Sequence, residues 1–325
     1  MVEDFLANHG WGNAKISPLA GDASFRRYMR VSHDQNGGAM LMFAPPPEED
    51  VGPFLNMTDY LIENGFRAPK IFARDTEIGF ILLEDFGDIR IKEYLEQDGD
   101  AINEEATYQK AVDTLLGLAE APPANVPVYD KAAYMREIML FSSWYMPAMN
   151  IINGIDELHV IWENLLTPII SAQSSPVTVL RDYHAENIMI VDEGDFGLID
   201  YQDALLGHRA YDLLSLLQDA RRDVPEELEQ KMLQYYIDKA NISDEFKDHY
   251  AILAAQRNIK IIGIFTRLWQ RDGKAHYLEF LPRMWRLLER DLAQPALKDV
   301  RAWFDKYIPH SVRNISAQDM IKGAS

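Results

Sequence analysis

The chain has 325 residues, 47% of them hydrophobic and 26% charged, with no cysteine and a formal net charge of −19. That length suits two folding units better than one small core. The composition excludes disulfides, thiolate metal sites and cysteine nucleophiles, and so acidic a surface repels phosphate backbones and argues against nucleic acid as a partner.

In chain order, the opening MVEDFLANHGWG has no basic segment followed by an apolar one, so no signal peptide is expected. No apolar run reaches the roughly 18 residues of a membrane span, and cytoplasm is the expected compartment. Residues 24–31 (SFRRYMRV) and 39–43 (AMLMF) read as paired strands joined by the polar turn HDQNGG. The Ala-Pro-Pro-Pro-Glu segment at 44–48 breaks the second strand. Phe54, Met57, Thr58, Leu61 and Ile62 then fall at helical spacing, and Gly65 ends that helix. Two further strands are predicted at 70–74 and 79–83, after which the pattern is mostly helical. Tyr108, Ala111, Val112, Leu115, Leu116 and Ala119 form an amphipathic stripe, and helical patterns continue over 131–146 and 156–172. Short apolar runs at 177–180, 188–191 and 196–199 predict a small inserted sheet, and helices resume near 210. The chain is therefore expected to be α+β, with a β-rich part over 1–85 and a mainly helical part over 86–325.

The inserted sheet carries the residues of chemical interest, in VLRDYHAENIMIVDEGDFGLIDYQD. Asp182 and Asn187 are five apart, and Asp200 follows thirteen residues later at a strand end. Two carboxylates and an amide at strand ends can converge on one point, which is what phosphoryl transfer needs. One carboxylate accepts the proton of the attacking hydroxyl, while the other, with an amide oxygen, holds magnesium against the phosphates.

This pattern resembles protein kinases and, more closely, the aminoglycoside phosphotransferase and choline kinase family, whose motif is HGDxHxxN followed by IDxxx. The resemblance implies a protein-kinase-like fold of two lobes, using ATP and Mg2+. It makes Asp182 the catalytic base, Asn187 and Asp200 the metal ligands, and Asp212 a structural aspartate. His184 matches the second histidine of the motif and is expected, with Gln202 and Arg257, on the acceptor side. Leu82-Leu83-Glu84-Asp85 resembles the strand that hydrogen-bonds adenine through its backbone. The Asp-Phe-Gly at 85–87 precedes the catalytic loop by about a hundred residues and is not the metal-binding triplet of protein kinases. Gly21 and Ser24 are expected to offer donors to the phosphates. Two departures stand out: Leu180 replaces a histidine, and the 39–43 strand lacks the usual phosphate-pairing lysine. Arg26 or Arg27 is expected to supply that charge, only one of them facing inward.

Longer stretches, among them GDASFRRYMRV, FAPPPEED and DYQDALLGHRAYDLLSLLQDARRDVP, resemble a bacterial family of anomeric N-acetylmuramate and N-acetylglucosamine kinases of cell-wall recycling. In that family an acidic residue tends to stand where this chain has Phe43. The expected partners are thus ATP and an amino sugar, with no membrane. Two alternatives accompany this reading: a kinase of another small hydroxyl compound, such as an aminoglycoside, and a nucleotide-binding pseudokinase.

Overall fold

A computed structural model describes residues 1–19, 25–98, 101–313 and 315–323. Its elements in chain order are α1 (Val2–Asn8), β1 (Lys15–Pro18), β2 (Arg27–His33), β3 (Gly37–Phe43), α2 (Gly52–Glu63), β4 (Ile71–Asp75), β5 (Phe80–Glu84), α3 (Ile91–Asp98) and α4 (Ala101–Glu120). There follow α5 (Lys131–Leu140), a π turn over Phe141–Tyr145, α6 (Met146–Ala148), α7 (Ile155–Ala172), β6 (Val177–Val179), β7 (Ile188–Val191), β8 (Asp195–Leu198) and β9 (Leu205–Gly207). The remainder is helical: α8 (Ala210–Leu217), α9 (Glu226–Ala240), α10 (Phe246–Asp272), α11 (Leu281–Leu292) and α12 (Lys298–Tyr307), with short turns beyond. No helix among the described residues is long and apolar enough to cross a membrane. The chain forms two compact units, one comprising Met1–Asp100 with Glu186–Asp203, the other Ala101–Ala185 with Ala204–Ser325.

The first unit is built on an antiparallel sheet in the order β1-β2-β3-β5-β4. Alternation puts Val31, Ala39, Leu41, Phe80 and Leu82 into one core, which Phe5 and Leu6 of α1 complete with Trp11. The strand expected at 24–31 begins at Arg27, and β1 precedes it. β1 is four residues, mostly exposed, and ends in proline, which an edge strand tolerates. β7 and β8 pair as a separate hairpin in this unit. The single inserted sheet expected from the sequence is thus two sheets, because β6 pairs instead with β9. Three-residue β9 is too short to show periodicity.

The second unit is organised around α10, which is buried along most of its length and packs on α5, α8 and α11. Gly263 permits the closest approach. A Cβ there would lie 2.5 Å from the carbonyl carbon of Leu140 and 2.6 Å from the nitrogen of Phe141. At the same place the helix expected over 131–146 widens into its π turn.

Candidate active site

Within the first unit, β2, β3, β5 and the β7–β8 hairpin enclose a cavity of about 680 Å3. One part is apolar, lined by Met40, Leu83, Met189 and Ile199. Another is polar, with Arg26, Glu49, Asn187, Asp200, Gln202 and Asp203. β5 pairs with β3 as far as Glu84, and Glu84 N donates to Lys70 O at 2.8 Å, so the sheet ladder ends where the chain leaves the strand beside the cavity. The side chains there are held in ion pairs. Arg67 donates to both oxygens of Glu84 at 2.7 and 2.6 Å, and Arg30 donates to Asp85 at 2.6 and 3.3 Å. The Arg67 guanidinium holds the Glu84 carboxyl below its usual range.

Asp200 follows β8 with φ 61°, a left-handed conformation uncommon away from glycine. Such strain persists where the surroundings over-determine it, and here they do. The next residue, Tyr201, is buried, stacks on Phe54 with centroids 5.4 Å apart, and shares a 2.7 Å hydrogen bond with the Thr58 hydroxyl. Its neighbours are thereby fixed toward the cavity. Asn187 Nδ2 donates to Asp200 Oδ2 at 3.3 Å and Gln202 Nε2 to Oδ1 at 2.9 Å. Arg26 lines the same cavity, where its Nε donates to Glu49 at 3.1 Å, whereas Arg27 is exposed. Gly21 and Ser24 lie outside the described residues.

In the second unit, Asp182 follows Arg181, whose φ is 72°. Buried Asp212 clamps that turn, its carboxylate accepting from Leu180 N at 2.6 Å and Arg181 N at 2.8 Å. Burial pushes the Asp212 carboxyl up to about 7, against the lowering effect of those two bonds. Burial also acts to raise the Asp182 carboxyl, but Lys260, His184, Arg257 and Arg181 outweigh it and hold it below the ordinary carboxylate value. It is thus ionised at neutral pH.

His184 and Arg257, each 4% exposed, are enclosed in the second unit. His184 Nε2 lies 3.3 Å from Arg221 Nη1, and burial pushes the imidazole below its usual value. Arg257 donates to Gln218 O at 3.5 Å. Sequence reasoning did not find Glu49 or Glu137. Glu137 receives Arg181 Nη2 at 2.6 Å, Lys260 Nζ at 3.0 Å, Gln256 Nε2 at 3.2 Å and the Tyr129 hydroxyl. The available signal was position: Glu137 falls three residues after buried Tyr134 and four before buried Phe141, on the inward face of its helix.

The architecture is shared with known phosphotransferases. An ADP-bound aminoglycoside phosphotransferase, APH(2'')-Ib, superposes with a TM-score of 0.59 at 16% identity, covering 85% of this chain and 92% of the other. Choline kinase LicA from Streptococcus pneumoniae gives 0.60 at 15% identity over 93% and 98%. The fold is therefore the protein-kinase-like one of small-molecule phosphotransferases. Residues 15–247 match the phosphotransferase enzyme family (APH), and the chain belongs to it. It is accordingly an ATP-dependent phosphotransferase with a hydroxyl acceptor. Two curated relatives, both called N-acetylmuramate/N-acetylglucosamine kinase, come from Caulobacter vibrioides and Pseudomonas aeruginosa. The first is 34% identical over 95% of this chain and 96% of its own length, the second 35% over 90% and 89%.

Proposed function

We propose that this protein phosphorylates the anomeric hydroxyl of N-acetylmuramate and N-acetylglucosamine with ATP, feeding cell-wall sugars back into metabolism. The observation that carries the acceptor class is the identity of 34% over almost the whole of both chains with a kinase of those two sugars. The chemistry is consistent. The ring oxygen makes the anomeric hydroxyl the most acidic in the sugar, so one ionised carboxylate, Asp182, suffices to take its proton as the phosphoryl group arrives.

The apolar part of the first unit's cavity suits adenine, packed against Leu83 where β5 ends at Glu84 and Asp85 follows. Arg26, oriented by Glu49, supplies the phosphate-facing charge that the 39–43 strand lacks. Asn187 and Asp200 offer hard oxygen donors of the kind magnesium prefers. Magnesium bound there would neutralise phosphate charge.

On the acceptor side we infer roles for His184, Gln202 and Arg257. Arg257 carries a guanidinium whose geometry matches the lactyl carboxylate of N-acetylmuramate, although it is 4% exposed and already donates to Gln218 O. A second guanidinium competes for that role: Arg286 is 62% exposed and lines a cavity of about 350 Å3 in the second unit with Asp219 and Arg283. Kinetics of Arg257→Ala and Arg286→Ala on both sugars separate the two, since only the residue that meets the carboxylate raises KM for N-acetylmuramate alone. The reading as a whole is tested by ATP turnover over N-acetylmuramate, N-acetylglucosamine, choline and kanamycin, with and without magnesium. Turnover confined to kanamycin or choline overturns it, and no turnover of any acceptor favours a pseudokinase.

A further inference from the structure

The residue immediately before Asp182 is not the glycine that a left-handed backbone favours. Arg181 has φ 72° and a long charged side chain. The backbone of this turn is held at three points, by Asp212 at the nitrogens of Leu180 and Arg181 and by Ser215 Oγ donating to Arg181 O at 3.3 Å. The Arg181 side chain is held at a fourth, Glu137 on α5, 2.6 Å from Arg181 Nη2. The Glu137 side chain is only 13% exposed and takes four donors from three separate segments: Arg181, Tyr129, and Gln256 and Lys260 of α10. Burial works against its charge, but Lys260 and Arg181 outweigh burial and keep it ionised. A carboxylate with that many fixed donors has little freedom, and neither has a guanidinium bonded to it.

We propose that Glu137 is a positioning residue for phosphoryl transfer. By gripping the Arg181 guanidinium it holds the left-handed turn that sets the direction of the Asp182 carboxylate. A charged residue in a glycine's conformation is thus stabilised by a side-chain anchor 44 positions earlier in the chain. The proposal rests on Asp182 being the base.

Glycine at 181 separates this role from mere packing, because glycine adopts the turn unaided and has no side chain to grip. Glu137→Gln is made alone and on top of Arg181→Gly, with kcat, KM for ATP and thermal unfolding measured for each. In the otherwise unchanged protein, Glu137→Gln is expected to lower kcat roughly 10–100-fold, the scale of a small misplacement of a reacting group, with KM for ATP unchanged. In the Arg181→Gly background the same change is expected to cost less than about threefold. Equal losses in the two backgrounds, or no loss in the first, overturn the proposal. Glu137→Asp, which keeps the charge but shortens the reach, provides the same comparison if the glutamine variant does not fold. Failure of the underlying reading is seen separately, as near-normal kcat in Asp182→Asn.

Discussion

At the scale of single residues, Asp182 and Asp200 are both carboxylates, but the tasks proposed for them differ, and their variants should fail differently. Asp182→Asn removes the proton acceptor and leaves ATP affinity nearly intact. Its kcat is expected to fall roughly 10²–10⁴-fold, the usual worth of a general base. Asp200→Ala should lose magnesium-dependent nucleotide affinity as well as rate, and calorimetric titration with and without the metal checks this. The charges around Asp182 add a pH prediction. Lys260 is foremost among the cations that hold its carboxyl below the ordinary value. In Lys260→Met that support is gone, the carboxyl keeps its proton to higher pH, and the acidic limb of the kcat/KM profile should move upward. An unmoved limb would mean that another group titrates there.

At the scale of elements, α10 depends on its close approach to the backbone at Leu140. Gly263→Ala would put a methyl group 2.5 Å from a carbonyl carbon that cannot rotate away. The expected loss is about 1–3 kcal/mol, typical of overpacking, read as a lowered Tm or a lowered denaturant midpoint. The elements around Asn187 and Asp200 were legible in the sequence: the helix containing Phe54 and Leu61, the strands at β4 and β5, and the apolar runs of β7 and β8 all have clear period or clear breaks. So was the spacing of Asp182, Asn187 and Asp200, because strand ends fix it locally. What stayed hidden was set by tertiary partners. β9 exists because β6 offers it a backbone edge, and the two sheets replace one for that reason. Glu49 looks like an ordinary surface acid until Arg26 is seen beside it, and Glu137, though spaced for the inward face of its helix, shows no partner until Arg181 is placed.

At the scale of the whole molecule, the acidity of the chain coexists with buried acids that resist ionisation. Asp291 is buried with Glu229, and Gln218 and Asn258 donate to it at 2.9 and 2.8 Å. Burial pushes its carboxyl up to about 8, and Asp212 is raised to about 7. A carboxyl raised in the folded state binds its proton more tightly there than in the unfolded chain. Its stabilising contribution is full below about pH 4 and is lost as pH rises through 7 and 8. Tm should therefore decline between about pH 4 and 8 and level off above that, and Asp291→Asn, which cannot ionise, should flatten the decline. The bond made is the decisive point, and phosphorus NMR of the product of N-acetylmuramate and ATP reads it. The expected product carries its phosphate on C1, with the phosphorus signal split by the anomeric proton. A 6-phosphate, or no sugar phosphate beside rapid phosphorylation of kanamycin, would contradict the proposed reaction.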